Sequence, residues 1–239
     1  MKRLGFFTAV LCGMLLLATG CSMQRTFTYP MEPISVINPN PPKARIAVLP
    51  ANDLRGTSNN WVTYMLYLVP LAPWGPVNFD RPESAVMFVT IGRFDSKIPE
   101  ELSKAVAQHM KMAGVAQSVF FDYGGGTDKA DYTLEIDLTK SQYHGRVLTY
   151  GLSVLGPLPW FVGFPVGTSE VLLTMNLKLK DRTGQTVWSQ TVDQQWQVVQ
   201  GMYYNMGRDM EGLARSLQSG LDETLRRHPM PINANVRQP

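Results

Sequence analysis

The chain has 239 residues, of which 44% are hydrophobic and 17% charged, a composition typical of a globular protein that buries a core. Its formal charge is +3, from 22 basic and 19 acidic residues. Without Lys2 and Arg3 the balance is 20 against 19, which excludes a strong field for nucleic acid or acidic lipid. The two cysteines are Cys12 and Cys21. The chain beyond residue 21 therefore has no thiol for an internal disulfide, a cysteine nucleophile or a cysteine-based metal site.

The N-terminus has the pattern of a secretory signal. Two basic residues precede an almost wholly apolar run, Leu4–Leu17, which is short of the ~20 residues that a membrane-spanning helix needs. Small residues then lead into Cys21, and the sequence LATGC at 17–21 resembles a bacterial lipobox. The resemblance implies cleavage after Gly20 and attachment of a lipid to the Cys21 thiol. Residues 1–20 are therefore expected to be a lipoprotein signal peptide.

The remainder is predicted to hold one folded domain between two less ordered segments. Residues 21–43 contain five prolines and no apolar periodicity, which is typical of a semi-rigid, extended tether. Residues 44–228 are expected to form a single domain. Residues 229–239 begin with a helix-ending proline and are expected to form a disordered tail.

Hydrophobic periodicity predicts the elements of this domain. Apolar residues alternate with polar ones along 130–142 and 171–179, as in half-buried strands, and they recur at helical spacing from Leu102 to Ala113, ahead of a capping Gly114. Strands are expected at 44–50, 86–91, 115–123, 130–142, 171–179 and 185–197, with helices at 99–113 and 205–227 and a hairpin turn at 181–184. Two helices on one face of a mixed or antiparallel sheet of three to five strands would bury these stripes, so the predicted fold class is α+β, with two apolar insertions.

Four stretches of the domain resemble a group of envelope lipoproteins. They are RIAVLP at 45–50, IPEELSKAVAQHMKMAG at 98–114, SVFFDYGGGTDKADYTLEIDL at 118–138 and LLTMNLKLKDRTGQTVWSQT at 172–191. The group shares the fold of the Tol translocation protein's N-terminal domain. It includes the curli secretion channel lipoprotein, activator lipoproteins of penicillin-binding proteins and an exopolysaccharide-secretion ring lipoprotein. The resemblance implies scaffolding and assembly in the envelope, and it supplies no catalytic residue.

Two apolar segments, 61–79 and 147–169, carry no charge and resemble each other. Each contains Thr-Tyr-x-Leu, and each has two prolines just before a tryptophan that lies eleven positions after the threonine. Proline and glycine interrupt both segments, so neither is a simple membrane span.

Three interpretations of these segments are open. They pack on each other as a satellite core, they lie in the membrane interface, where Trp and Tyr are favoured, or they form a subunit or partner interface. The candidate membrane- or partner-contact residues are Trp61, Tyr64, Tyr67, Trp74, Tyr150, Trp160 and Phe161.

The sequence contains no recognisable motif for catalysis, metal binding or phosphate binding. The three histidines are far apart, and Gly124-Gly125-Gly126 lacks the lysine and following helix of a phosphate loop. Three carboxylates share one strand face and are interpreted as a solvated polar face rather than a cation or paired-acid site: Asp131, Glu135 and Asp137. We therefore predict no catalytic residue, no metal and no cofactor.

The leading functional hypothesis is a non-enzymatic, lipid-anchored accessory or assembly component of an outer-membrane machine, with a homo-oligomer as one possible form. Ser22 after the lipid cysteine implies outer-membrane sorting by the same resemblance, with the body facing the periplasm. The expected partners are the membrane, through the anchor, and an envelope protein, but no nucleic acid. The alternatives are a lipid-binding auxiliary subunit of an envelope transporter and a hydrolase with an unrecognised site.

Overall fold

The computed structural model describes residues 24–26, 29, 32, 36–60, 69–84, 93–95, 97–206, 208 and 211–232. The signal peptide, Cys21, the strand predicted at 86–91 and the residues Trp61, Tyr64 and Tyr67 lie outside the described residues. The strands are β1 (Gln24–Thr26), β2 (Arg45–Val48), β3 (Asn52–Asp53), β4 (Asn59–Asn60), β5 (Trp74–Phe79), β6 (Arg93–Asp95), β7 (Ser118–Phe121), β8 (Tyr132–Leu148), β9 (Pro165–Asp181) and β10 (Thr186–Gly201). The helices are α1 (Ile98–Met112), α2 (Pro157–Phe161) and α3 (Glu211–Arg227).

Eight of these strands form one mixed sheet, in which β10, β9, β8, β2 and β7 are successive neighbours. Beyond β2, the strands β3 and β5 also pair with β8, and β4 pairs with β5. A separate parallel pair joins β1 to β6. The α+β class is thus confirmed, but the predicted sheet of three to five strands is too small.

The 17-residue strand β8 connects the two halves of the sheet. In its first half it pairs in parallel with β2 at Tyr132–Leu134 and with β3 at Asp137 and Leu138, and along its second half it pairs antiparallel with β5. Strand β9 follows it along nearly its whole length. Thr139 has no counterpart in β9, which makes a bulge. Because side chains alternate with a period of two, this extra residue moves the buried set from Leu134, Ile136 and Leu138 to Ser141, Tyr143 and Val147.

Helices α1 and α3 bury their apolar stripes in the main core, α1 through residues such as Leu102 and Met110 and α3 through Leu217 and Leu221. The predicted C-terminus of α1 is confirmed. The Val115 N–H donates to the Met110 carbonyl and the Gly114 N–H to that of Lys111, with Gly114 at a φ of +72°. This is the Schellman arrangement that favours glycine.

The described part of the chain contains three helices rather than the predicted two. Helix α2 lies inside the second apolar insertion and has prolines at its first turn, where they are tolerated even though they break a helix interior. The sequence also misplaces boundaries: β8 runs on to Leu148, and α3 begins at Glu211. Very short strands such as β3 and β4 have no periodicity to detect.

Part of the segment predicted as a tether lies on the body. Tyr29 is buried, with its hydroxyl beside Ser141, and burial raises its pKa above the ordinary range. The Glu32 N–H donates to the side-chain oxygen of Gln218 at 3.3 Å, and the Gln218 amide donates to the Glu32 carbonyl at 3.0 Å. Further along, the Ile37 N–H donates to the Ala113 carbonyl at 3.0 Å. These residues follow the body from mid-sheet to the end of α1.

His109 of α1 is fully buried, and its Nε2 lies 4.0 Å from a carboxylate oxygen of Asp222 on α3. Burial lowers the pKa of His109 to about 4, and the attraction of Asp222 offsets only part of that effect. In sequence His109 follows Leu102 by seven residues on the predicted helix, which favours a core or boundary position over a ligand, and its burial confirms this.

The free energy of unfolding is predicted to fall as the pH drops below neutral. His109 stays neutral in the folded chain down to its pKa of about 4, whereas in the unfolded chain it takes up a proton near pH ~6.5. The contribution of neutral His109 to the free energy of unfolding is therefore complete above about pH 6.5. About 3 kcal/mol of it is lost progressively as the pH falls from about 6.5 to 4. Urea denaturation at a series of pH values measures this.

The matched variants for that measurement are His109→Leu and His228→Gln, the latter at an exposed histidine after α3. The first should flatten the pH dependence, and the second should retain that of the wild type. An unchanged slope in His109→Leu would show that another group causes the acid sensitivity.

Candidate functional site

Four strands meet at one end of the sheet. Strands β5 and β9 begin there and strands β8 and β10 end there, because Trp74 is opposite Leu148 and Gly201 is opposite Pro165. We call the chain around this end the apolar tip and define it as residues 69–74, 149–165 and 199–206. Of the 19 large apolar side chains exposed in the described part of the chain, 15 belong to it. They are Val69, Leu71, Trp74, Tyr150, Leu152, Val154, Leu155, Leu158, Phe161, Val162, Phe164, Val199, Met202, Tyr203 and Tyr204.

The described parts of the twin apolar segments contact each other at the tip. The N–H groups of Thr149 and Tyr150 both donate to the Pro73 carbonyl, at 2.9 and 3.0 Å. In return the Leu71 N–H donates to the Gly151 carbonyl at 3.1 Å, and the buried Thr149 hydroxyl donates to the Ala72 carbonyl at 2.6 Å. The segments therefore pack through their backbones while many of their apolar side chains point outward.

A third segment completes the tip, and sequence reasoning missed it. The Tyr203 hydroxyl donates to the Phe161 carbonyl at 2.9 Å, and Gly201 and Tyr204 are joined through their backbones. The sequence does contain a third uncharged stretch here, because no charged residue lies between Asp193 and Arg208. The predicted strand at 185–197 ends within this stretch and the predicted helix begins at 205, so the sequence does not mark 198–204 as part of a contact surface.

The predicted contact residues that the structure describes fall into two groups. Trp74, Tyr150 and Phe161 lie on the tip surface. Trp160 is only 6% exposed and donates its indole N–H to the Leu148 carbonyl at 2.8 Å. It therefore supports the tip from inside, and its expected role in surface contact is corrected.

The hydroxyls of two tip tyrosines, Tyr150 and Tyr203, donate to carbonyls within the tip. The Tyr150 hydroxyl donates to the Pro165 carbonyl at 2.6 Å, and its ring meets Phe164 edge to face at 5.7 Å. Burial raises the pKa of Tyr150 above its usual range. Together with the bonds of Tyr203 and Trp160, these contacts leave an outer surface dominated by hydrocarbon.

Backbone conformation also sets the tip apart. In the described part of the chain, the non-glycine residues with positive φ are Leu71, Tyr150, Ser153 and Asn205, at 67°, 57°, 51° and 54°. All four belong to the tip. Such conformations are uncommon for residues with a Cβ, and strained ones concentrate where a surface serves a function.

A polar groove of about 440 Å³ lies behind the tip, on the sheet face opposite the helices. Its lining includes Trp74, His144, Arg146, Thr168 and Glu170. The guanidinium carbon of Arg146 lies 5.1 Å from the centre of the Trp74 ring, a cation–π contact. Arg146 and Glu170 flank the second uncharged segment in sequence, so charge resumes where the tip ends.

Several other charged side chains form ion pairs that explain their positions structurally. Lys180 contacts Glu135 at 2.7 Å, Lys178 contacts Asp137 at 2.8 Å, and Arg182 contacts Asp131 at 2.5 Å. These three carboxylates form cross-strand and turn contacts. Glu135 and Asp137 lie on a partly exposed polar face, as predicted, whereas Asp131 is buried, so its expected place on a solvated face is corrected. The hydrogen bond from Lys178 holds the pKa of Asp137 below its usual range.

A buried arginine joins the strand β3 to the turn at residues 82–84. Arg55 contacts Asp53 at 2.8 Å and Glu83 at 2.6 Å, and its hydrogen bonds hold the pKa of Asp53 below the ordinary value. Within the residues described, no group of three or more histidine, cysteine or carboxylate residues could hold a metal ion. The helices in the described ranges include none that is long and apolar enough to span a membrane.

No protein-family model matches the chain, and no curated protein is detectably similar to it in sequence. Among solved structures, a DUF330 protein from Xanthomonas campestris is similar with 13% identity and a TM-score of 0.43, over 85% of this chain and 92% of that one. A PelC dodecamer from Paraburkholderia phytofirmans is 13% identical, with a TM-score of 0.35, over 78% of this chain and 93% of that one. A candidate lipoprotein from Caulobacter crescentus is 11% identical, with a TM-score of 0.31, over 54% of this chain and 78% of that one.

Thr149→Val is predicted to loosen the tip without disturbing the sheet. Valine keeps the shape of threonine but removes the donor to the Ala72 carbonyl, a loss of about 1–2 kcal/mol. Hydrogen exchange of the Leu71 amide, which bonds to Gly151 in the same connection, should become faster.

Thr139→Val is the control, because the Thr139 hydroxyl donates to the Thr174 carbonyl at 3.0 Å in the bulge of β8, outside the tip. It should leave exchange at Leu71 unchanged. If both variants accelerated it equally, the Thr149 hydroxyl would not be what joins the two segments.

Proposed function

We propose that this chain is a lipid-anchored, non-enzymatic protein of the bacterial envelope that acts as an accessory or assembly component of an outer-membrane machine. Residues 1–20 are the signal peptide, Cys21 carries the lipid, and the body faces the periplasm. The lipobox pattern at 17–21 supports the anchor. The fold contributes a rigid sheet that presents one distinctive surface.

The observation that carries this proposal is the apolar tip. Soluble monomers rarely expose contiguous apolar patches of more than a few hundred Å², and larger ones mark contact sites. Three chain segments converge to build this surface, and their backbones are held by specific hydrogen bonds. Apart from tyrosine hydroxyls the tip has no ionisable side chain. Its chemistry is therefore that of a contact surface rather than of acid–base or nucleophilic catalysis.

The same surface also favours the second candidate, a lipid-binding auxiliary subunit of an envelope transporter. Exposed aliphatic and aromatic side chains suit acyl chains as well as a fixed partner. Native mass spectrometry of gently extracted protein separates the two functions, because an auxiliary lipid carrier should retain phospholipid beyond the acyl groups on Cys21.

The proposal predicts a lipid-modified protein that is part of a larger assembly. The full-length chain, produced in a bacterial envelope and extracted in mild detergent, should show acyl groups on Cys21 by mass spectrometry. Light scattering should give a protein mass that exceeds one chain, either as a homo-oligomer or with an envelope protein. The control is the Cys21→Ser chain, which should lack the modification. A strict monomer with no co-purifying protein would contradict the assembly role.

A further inference from the structure

We infer that the apolar tip enters the same membrane surface that holds the acyl chains of Cys21, so that the sheet stands on the membrane with the β9–β10 hairpin at its distal end. The inference rests on the proposed lipid anchor and adds a second attachment point. Its occupant is a lipid bilayer rather than a protein. Three observations support it: the charge distribution, the pairing of polar groups and the course of the N-terminal chain.

Charge is segregated along the sheet. Residues 69–79, 147–169 and 194–207 contain no Asp, Glu, Lys, Arg or His. At the opposite end, the β9–β10 hairpin carries Lys180, Asp181 and Arg182. An uncharged end can enter the headgroup and acyl boundary without the cost of burying charge, whereas the hairpin end cannot.

Several polar atoms of the tip aromatics are satisfied without water. The hydroxyls of Tyr150 and Tyr203 donate to backbone carbonyls of the tip, and the indole N–H of Trp160 donates to the Leu148 carbonyl at the end of β8. Since lipid offers few hydrogen-bond partners, internal pairing removes most of the penalty for leaving water. Trp74, with Arg146 over its ring, lies at the border of the tip, where indole and guanidinium groups suit the headgroup zone.

The N-terminal chain approaches the membrane from the same side. Residues 37–45 lie at the hairpin end, since Ile37 bonds to Ala113 and the Arg45 carbonyl accepts from Asp131, next to the start of β8. Followed backwards, the chain passes Gln218 and reaches Ser141 at Tyr29. It therefore runs from the hairpin end toward the tip as it approaches Cys21.

Distances allow the two attachments to coincide. Ser141 is seven residues from the end of β8 at Leu148, or about 23 Å at ~3.3 Å per residue. Cys21 precedes Tyr29 by eight residues, which span at most about 29 Å. Part of this stretch, Gln24–Thr26, forms β1 against β6, so the extended length is an upper limit. Within that limit Cys21 can lie level with the tip, and the tether is too short to hold the body far from the bilayer. An anchored chain also raises the effective concentration of the tip at the surface, so a weak contact suffices.

Single-cysteine labelling of the full-length lipidated protein tests this inference. Cys12 leaves with the signal peptide and the Cys21 sulfur is consumed by the lipid, so one introduced cysteine is the sole free thiol. Val162→Cys places it on the tip, where the side chain is 74% exposed, and Val36→Cys places it at the opposite end, where it is 56% exposed. Both variants replace an exposed valine by cysteine, which has nearly the same side-chain volume, so the fold should be retained.

Each variant is labelled with an environment-sensitive fluorophore and reconstituted into phosphatidylethanolamine and phosphatidylglycerol vesicles. Compared with the same protein in vesicle-free buffer, the label at 162 should brighten roughly threefold or more, because it moves into the boundary between headgroups and acyl chains. Lipids with a nitroxide near the headgroup should quench it, and the label at 36 should neither brighten nor be quenched.

Other outcomes overturn the inference. Equal quenching at 162 and 36 would mean that the body lies flat on the membrane. The label at 162 could instead brighten only as the protein concentration rises, with no quenching by the nitroxide lipids. That result would mean that a second copy or another protein covers the tip. Mass spectrometry of the same sample measures the acylation of Cys21 independently of the fluorescence. If Cys21 carried no lipid, the proposed anchor would fail, while added vesicles would still decide whether the tip binds lipid.

Discussion

The structure depends on the continuity of β8 through its bulge. The first half of this strand pairs with the short parallel strands β2 and β3 and lies beneath the helices, and the other half pairs with β5 and leads into the tip. Without the extra residue at Thr139, the alternation would place Gln142, His144 and Arg146 toward the core and Tyr143 and Val147 toward solvent. The bulge thus lets one strand serve both a helix-covered core and a projecting end.

The tip is unusual because it combines hydrocarbon exposure with a well-bonded backbone. Loops that expose apolar side chains by accident would be expected to have few specific contacts. Here Thr149 and Tyr203 each bond to a carbonyl of another part of the tip, and Trp160 bonds to the Leu148 carbonyl at the end of β8. Residues such as Leu71 and Tyr150 keep left-handed backbone conformations that cost free energy. A surface maintained at such cost is best explained by a contact that it makes.

The core and the surface beyond the tip follow more familiar rules. Arg55 is buried with two carboxylates, and Lys178 and Lys180 pair with carboxylates on the neighbouring strand. His109 is kept neutral by burial between two helices. These groups explain the local architecture of the domain and underlie its predicted acid sensitivity, and they leave the tip as the surface that needs an external occupant.

The sequence by itself determined the local order of the domain. Alternation along 130–142, helical spacing from Leu102 to Ala113 and the Gly114 cap predicted their elements, because these signals act over a few residues. It also named Trp74, Tyr150 and Phe161 as candidate contact residues within two uncharged segments, and the structure places all three on the surface. Only the tertiary structure decided that the segments meet, that Trp160 turns inward and that Met202 to Tyr204 join them. Those outcomes depend on the register of β8 with β5 and β9, and on hydrogen bonds between residues far apart in sequence, which no local pattern encodes.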